Sequence, residues 1–159
     1  MNATTATHGP SARRATETLD SFFSVWRHLI PSEGVSLTAA STLRLLLRSG
    51  PLRLTTLGER EAVSQPAMTG LVSRLQAAGL VERRADPTDG RAVLVELTAA
   101  GGALVEERRT RRTAAMEELL EVLDPGERAR FDAAIPALRL LIDHATSDVG
   151  LVPDIKGSR

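Results

Sequence analysis

With 159 residues, 42% of them hydrophobic and 25% charged, the chain has the size and balance of one domain with a real core, and a 3% aromatic content leaves aliphatic side chains to fill it. The absence of cysteine excludes disulfides, thiolate metal sites, cysteine nucleophiles and thiol redox sensing, and three scattered histidines (His8, His28, His144) give no metal-ligand spacing. No apolar run approaches the roughly 20 residues of a membrane span, and MNATTATHGPSARR lacks an apolar signal core, so a cytoplasmic protein with no cofactor, no metal and no membrane partner is expected.

Residues 1–11 read as disordered. From Ala12 to about Ile30, the side chains Leu19, Phe22, Phe23, Val25, Trp26, Leu29 and Ile30 recur at helical spacing on a wide apolar face. Pro31 ends that helix, and Pro-Ser-Glu-Gly forms a turn. A second helix, with Thr38 as its N-cap, runs through Leu43, Leu45, Leu46 and Leu47 to Gly50-Pro51. A short helix follows, about Thr55 to Glu61. The next spans 64–78, with Ser64 as N-cap and Pro66 in the first turn, where a missing N–H costs nothing. Its buried stripe is Met68, Leu71, Val72, Leu75 and Ala78, with Gly79 closing it; the opposite face carries Gln65, Pro66, Thr69, Ser73 and Arg74.

Leu80 to Thr98 (LVERRADPTDGRAVLVELT) reads as two short apolar-alternating strands around a loop with Pro87, Asp89, Gly90 and Arg91. Thr98 caps a long helix to about Leu123, highly charged at Glu106–Arg112, where Glu107 and Arg111 have favourable i,i+4 spacing. Asp124-Pro125-Gly126-Glu127 has the form of a capping box. The last helix uses Phe131, Ile135, Leu138, Leu141 and Ile142, with Pro136 expected to kink it, and residues 147–159 read as a flexible tail.

Two short helices joined by a tight turn, the second apolar on one face and small-polar on the other, match a helix-turn-helix. A helix that approaches base edges excludes bulky or acidic groups from its outer face. Gln65 suits an adenine edge, Thr69 a thymine methyl or a phosphate, and Arg74 a guanine or a phosphate, while Ser64 and the free amides of the helix start suit a phosphate. The plain alternative is an amphipathic helix with a solvated face. A polar, glycine-bent hairpin tip bearing an arginine favours the DNA reading, because it suits a narrow, negative groove. Charge distribution points the same way: residues 44–91 hold eight arginines against five acids, although the whole chain is neutral. No Ser/His/Asp, paired-carboxylate or metal constellation suggests an enzyme.

SLTAASTLRLL, then PLRLTTLGEREAVSQPAMTGLVSRLQAAGLVERRADPTDGRAVLVELTAAG, closely resembles the MarR (multiple antibiotic resistance regulator) family of winged-helix transcription factors, over about residues 36–102. Its best local signature is Asp89-Gly90-Arg91 followed by VLVELT and a glycine. The resemblance implies that Arg91 enters the minor groove, that Asp89 orients it by an ion pair, and that Gln65, Pro66, Thr69, Ser73 and Arg74 face the major groove. Three positions depart from the family pattern: Glu61 replaces an apolar residue, Ala62 a turn glycine, and Gly58 a helical alanine.

The expected architecture is mainly α with a small β-hairpin. A winged helix-turn-helix (36–97) is flanked by N- and C-terminal dimerisation helices (12–35 and 98–146). Two copies are expected to bind a pseudo-palindromic operator in double-stranded DNA with half-sites about 10 base pairs apart. The resemblance also implies a small aromatic or anionic effector, and Trp26, Arg27 and His28 are candidates to line its pocket, although Trp26 reads first as dimer-core packing and His28 as a surface or interface residue. The expected function is a homodimeric transcriptional regulator, a repressor relieved by a small molecule. The competing expectation is a winged-helix interaction module that reads no specific DNA.

Overall fold

The structure, a computed structural model, describes residues 9–29 and 34–147, which fall into two compact units divided between Glu33 and Gly34. The first unit is α1 (Pro10–Leu29). Along its length Leu19, Phe22, Phe23 and Val25 are all exposed, Phe22 stacks on Trp26 with ring centroids 5.7 Å apart, and Arg13 pairs with Glu17 at 2.9 Å. The helix begins earlier than the apolar pattern indicated, so Pro10 and Ser11 are ordered rather than loose. Residues 1–8, the turn at Pro31, and the tail beyond Ser147 lie outside the described residues.

The second unit runs α2 (Leu37–Ser49), β1 (Leu52–Arg53), α3 (Leu54–Arg60), α4 (Gln65–Ala77), β2 (Val81–Asp86), β3 (Asp89–Leu97), α5 (Ala99–Glu121) and α6 (Pro125–Ser147). Helix α2 is capped by Ser36, whose hydroxyl accepts from the Ala39 amide at 3.2 Å, and not by Thr38. Starting there places Ala39, Leu43 and Leu46 on one stripe facing the core, with Val35 packed beside them. Thr38 sits within the helix, its carbonyl accepting from the buried Thr42 hydroxyl at 2.9 Å.

The core joins that stripe to Leu57 of α3, Met68, Leu71, Val72 and Leu75 of α4, Val81 and Val95 of the sheet, and Val105 of α5. Each fully buried aliphatic side chain contributes about 1.5–3 kcal/mol by leaving water. The sheet has three antiparallel strands in the order β1-β3-β2, rather than the two expected. The extra strand is only Leu52–Arg53, paired with Val95 and Leu94, and is too short to show alternation.

Thr98 caps α5 as its sequence indicated, accepting from the Gly101 amide at 3.0 Å. The start of α6 is a complete capping box: the Glu127 amide donates to Asp124 Oδ1 at 2.8 Å, and the Asp124 amide donates to Glu127 Oε2 at 3.0 Å. Helix α6 continues through Pro136 without ending, and it leaves Ile135, Leu138, Leu140, Leu141 and Ile142 exposed. Among the described residues no helix is long and apolar enough to cross a membrane.

Candidate nucleic-acid interface

A left-handed residue makes the turn between α3 and α4: Ala62, with φ 52°, stands where glycine would be unstrained. The Val63 amide closes the turn on the Gly58 carbonyl at 3.0 Å. Gly58 leaves little space here. A Cβ on it would stand 3.3 Å from the Val63 carbonyl oxygen and 3.5 Å from Gln65 Oε1, so its helix-weakening effect accompanies the close approach of α3 to α4. Glu61 ends α3 half-buried, accepting from Ser41 near Arg44 and Arg48, and burial pushes its carboxyl above the ordinary range.

Helix α4 buries Met68, Leu71, Val72 and Leu75, and exposes Gln65, Pro66, Thr69, Ser73 and Arg74 together on the other side. Ala78 is exposed rather than part of the stripe, because the chain has already left the helix and turns at Gly79, whose φ is +71°. Ser64 holds the N-cap position but makes no side-chain cap bond, so its exposed hydroxyl remains open to an outside group. The Thr69 hydroxyl donates to the Gln65 carbonyl at 2.8 Å and the Ser73 hydroxyl to the Thr69 carbonyl at 2.9 Å. Both hydroxyls thus spend their one hydrogen within the helix. Arg74 lies back along the helix, its Nη1 3.6 Å from where a Cβ on Gly70 would stand.

Three residues that sequence reasoning missed bind the hairpin to this surface. Asp86, 7% exposed at the end of β2, accepts from Arg53 Nε at 2.8 Å and Nη2 at 2.7 Å. It also accepts from the Thr88 amide at 2.8 Å and the Thr88 hydroxyl at 2.7 Å. The Thr88 bonds, with the Arg53 guanidinium behind them, pull its carboxyl down to about 2. The Asp-Pro-Thr sequence spells such an Asx turn, but the Arg53 partner is 33 residues away. The third, Arg83, reaches from β2 to α4, donating to Ser73 Oγ at 2.9 Å.

Asp89 is exposed, with Oδ2 3.9 Å from Arg53 Nη2, so Arg53 spans both aspartates at the base of the hairpin tip. The Arg91 backbone belongs to β3; its side chain, and with it the expected Asp89–Arg91 pair, lies outside what is described. Between the start of α4 and the hairpin runs a cleft of about 410 Å³ lined by Arg53, Thr55, Gln65, Asp89 and Val93 among others.

The other candidates lie elsewhere. Trp26, Arg27 and His28 belong to α1, in the other unit; Trp26 is half-buried, Arg27 and His28 are exposed, and His28 Nδ1 bonds the Ser24 carbonyl at 2.7 Å. The Glu107–Arg111 pair forms at 3.0 Å. Burial, then the charges of Arg112 and Arg48, push the Arg44 guanidinium below the ordinary arginine range, with Glu61 opposing.

Known proteins share this fold. The sequence model of the MarR family matches residues 35–93. The HTH-type transcriptional regulator MT0903.1 of Mycobacterium tuberculosis is 35% identical over 115 residues, covering 72% of this chain and 80% of that protein. The crystal structure of RV1404 from Mycobacterium tuberculosis superposes with TM-score 0.70 at 26% identity, covering 94% of this chain and all of the other. BpsR of Bordetella bronchiseptica, whose structure is described as a mechanism for regulation of DNA binding by 6-hydroxynicotinic acid, superposes with TM-score 0.58 at 26% identity, covering 84% of this chain and 98% of that one.

Proposed function

The chain belongs to the MarR family, whose members are transcriptional regulators rather than enzymes, and on that premise we propose that it is a homodimeric, sequence-specific DNA-binding repressor relieved by a small molecule. In this reading α4 lies in the major groove with Gln65, Pro66, Thr69 and Arg74 toward the bases and Ser64 at a phosphate. The hairpin is the wing, with Arg91 in the minor groove and Asp89 beside it. The observation that carries it is the common exposure of the α4 outer face next to a hairpin anchored by Arg53 and Asp86. An adaptable surface loop has no need of such an anchor, whereas a groove reader must hold its two arms at a fixed separation.

Exposed apolar side chains on α1 and α6 support the dimer, because a monomer would leave Phe23, Val25, Leu140 and Leu141 in water. Two copies with their α4 helices about 34 Å apart meet successive turns of a palindrome. Repression follows from occlusion, since a dimer across the duplex denies other proteins the bases it covers. The effector reading rests on BpsR, whose DNA binding is regulated by 6-hydroxynicotinic acid. For this chain the corresponding ligand is a small aromatic or anionic compound, with Trp26, Arg27 and His28 as candidate contacts.

Footprinting of the purified protein on genomic fragments, at several salt concentrations, tests the reading. A symmetric protected site with affinity near the nanomolar range supports it. Weak binding that is indifferent to sequence instead identifies an interaction module that reads no specific DNA.

A further inference from the structure

We propose that Arg83, on the wing strand β2, is a phosphate-contacting residue of the major-groove surface, and that Ser73 positions this arginine instead of reading a base. The inference deepens the DNA-binding reading above and rests on it.

Strand geometry puts Arg83 there. Side chains two apart share a face of a strand, so Val81 and Arg83 point to the same side, as their partners Leu97 and Val95 do. Val81 is buried in the core. One pleat further on, the sheet has passed the apolar stripe of α4 and meets its polar side. The arginine stem follows that surface outward and its head reaches the helix.

The hydrogen bonds then decide what the head can do. Arg83 Nη2 donates to Ser73 Oγ at 2.9 Å and to the Thr69 carbonyl at 3.3 Å. Those two bonds use both Nη2 hydrogens. Among the described residues Nε and Nη1 have no acceptor, no carboxylate pairs with Arg83, and the side chain is exposed. The neighbouring Arg84, by contrast, is paired with Glu96 at 2.9 Å. Reading guanine requires two N–H groups on one edge of the guanidinium fork, and each such edge includes Nη2. With Nη2 committed to the helix, the remaining donors suit a single anionic oxygen. A backbone phosphate beside the groove provides one.

Ser73 is changed in role by the same bonds. Its one hydrogen goes to the Thr69 carbonyl at 2.9 Å, and one lone pair accepts from Arg83. It has no proton left to offer a base acceptor such as guanine O6 or thymine O4. What it does offer is a fixed point for a cation brought in from the wing, so the depth of α4 in the groove is tied to the wing strand.

Salt dependence of operator binding provides the test, using the full-length wild type, Arg83→Ala, Arg83→Lys, Ser73→Ala and the Arg83→Ala/Ser73→Ala pair. Circular dichroism melts confirm that each is folded. Loss of one phosphate contact should lower the slope of log affinity against log salt by about 0.9, which at 0.1 M salt is about an eightfold weakening. Arg83→Ala is expected to show this loss equally on operator variants, leaving base preference unchanged. Arg83→Lys should keep most of the slope, because the charge remains. Ser73→Ala alone should weaken binding less than Arg83→Ala, and should add nothing to it. A folded Arg83→Ala protein with wild-type slope and affinity overturns the inference. So does a selective change of preference at one base pair. If the wild type itself shows no salt-dependent specific binding, the regulator reading fails and takes this inference with it; the other two results leave that reading standing.

Discussion

The glycine that follows the hairpin gives a paired prediction with opposite signs. Gly101 is buried in the first turn of α5, beneath the start of β2. A Cβ on it would overlap the Leu80 carbonyl oxygen and stand 2.7 Å from Leu97 Cδ1. The leucine tip can rotate away, but the carbonyl cannot, because it accepts from the Thr98 amide at 3.1 Å. The Thr98 hydroxyl is also fixed, donating to the Gly79 carbonyl at 2.7 Å while it caps Gly101. Replacement by alanine therefore has to lift the start of α5 from the chain entering β2. Overpacking costs about 1–3 kcal/mol and a strained cap about 1 more, against a helix-propensity gain of at most about 1. The net is a destabilisation of about 1–3 kcal/mol. Gly102, one residue on, has open space: its Cβ would meet only Leu97 Cδ2, at 3.9 Å. Gly102→Ala should gain a few tenths to about 1 kcal/mol. At about 2–4 °C per kcal/mol for a chain of this size, thermal melts at one fixed protein concentration separate the two variants easily. A Gly101→Ala protein that melts at or above the wild type would refute the close approach.

Three further outcomes are expected. Ala62→Gly removes left-handed strain of about 1–2 kcal/mol at φ 52°, and returns about 0.5–1 kcal/mol through the freer unfolded chain; its melting temperature should rise by a degree or more, and a fall would sink the turn assignment. The Asp86 carboxyl, pulled down to about 2, binds fewer protons in the folded than in the unfolded state below the ordinary carboxylate range, so its contribution is complete above that range and is lost as pH falls through about 2. Amide exchange at Thr88 should accordingly remain protected from pH 7 to pH 4, and Asp86→Ala, which removes the acceptor, should abolish that protection without shifting the melt of the helical core; opening of the tip near pH 5 in the wild type contradicts the lock. Arg91→Ala should weaken operator binding by about 1–3 kcal/mol with an unchanged melting temperature; a folded variant with full affinity removes Arg91 from the interface.

Legibility in the sequence followed the range of the interaction concerned. The α4 stripe, the Thr98 cap and the Asp124–Glu127 box are each written within four residues, and a periodicity or a spacing is enough to find them. Ser36 and Thr38 show the limit of that approach. Both are hydroxyls two residues apart, and local preference does not separate them. The choice is made by the core, because a helix starting after Ser36 turns Ala39, Leu43 and Leu46 inward together. The exposure of Ala78 has a similar origin: the apolar period continues in letters after the helix has ended.

The candidate site divides along the same line. Which residues α4 exposes was legible, because a helix presents its faces by arithmetic. How they are used was not, because the deciding partners arrive across the sheet. Arg53 meets Asp86 only after β1 has paired with β3 and β3 with β2. Arg83 meets Ser73 only because register places it one pleat beyond Val81. A serine on an outer helical face reads, by itself, as a base contact. With a guanidinium seated on it, the same hydroxyl becomes a bearing for another residue. The departures at Gly58 and Ala62 complete the point: judged by propensity they weaken a short helix and its turn, yet Gly58 lets the Val63 carbonyl of the turn approach closely, and Ala62 holds the left-handed conformation that the turn demands. The chain accepts local strain at Ala62 in order to turn directly from α3 into α4, and that turn sets Gln65, the first residue of α4, at the edge of the cleft.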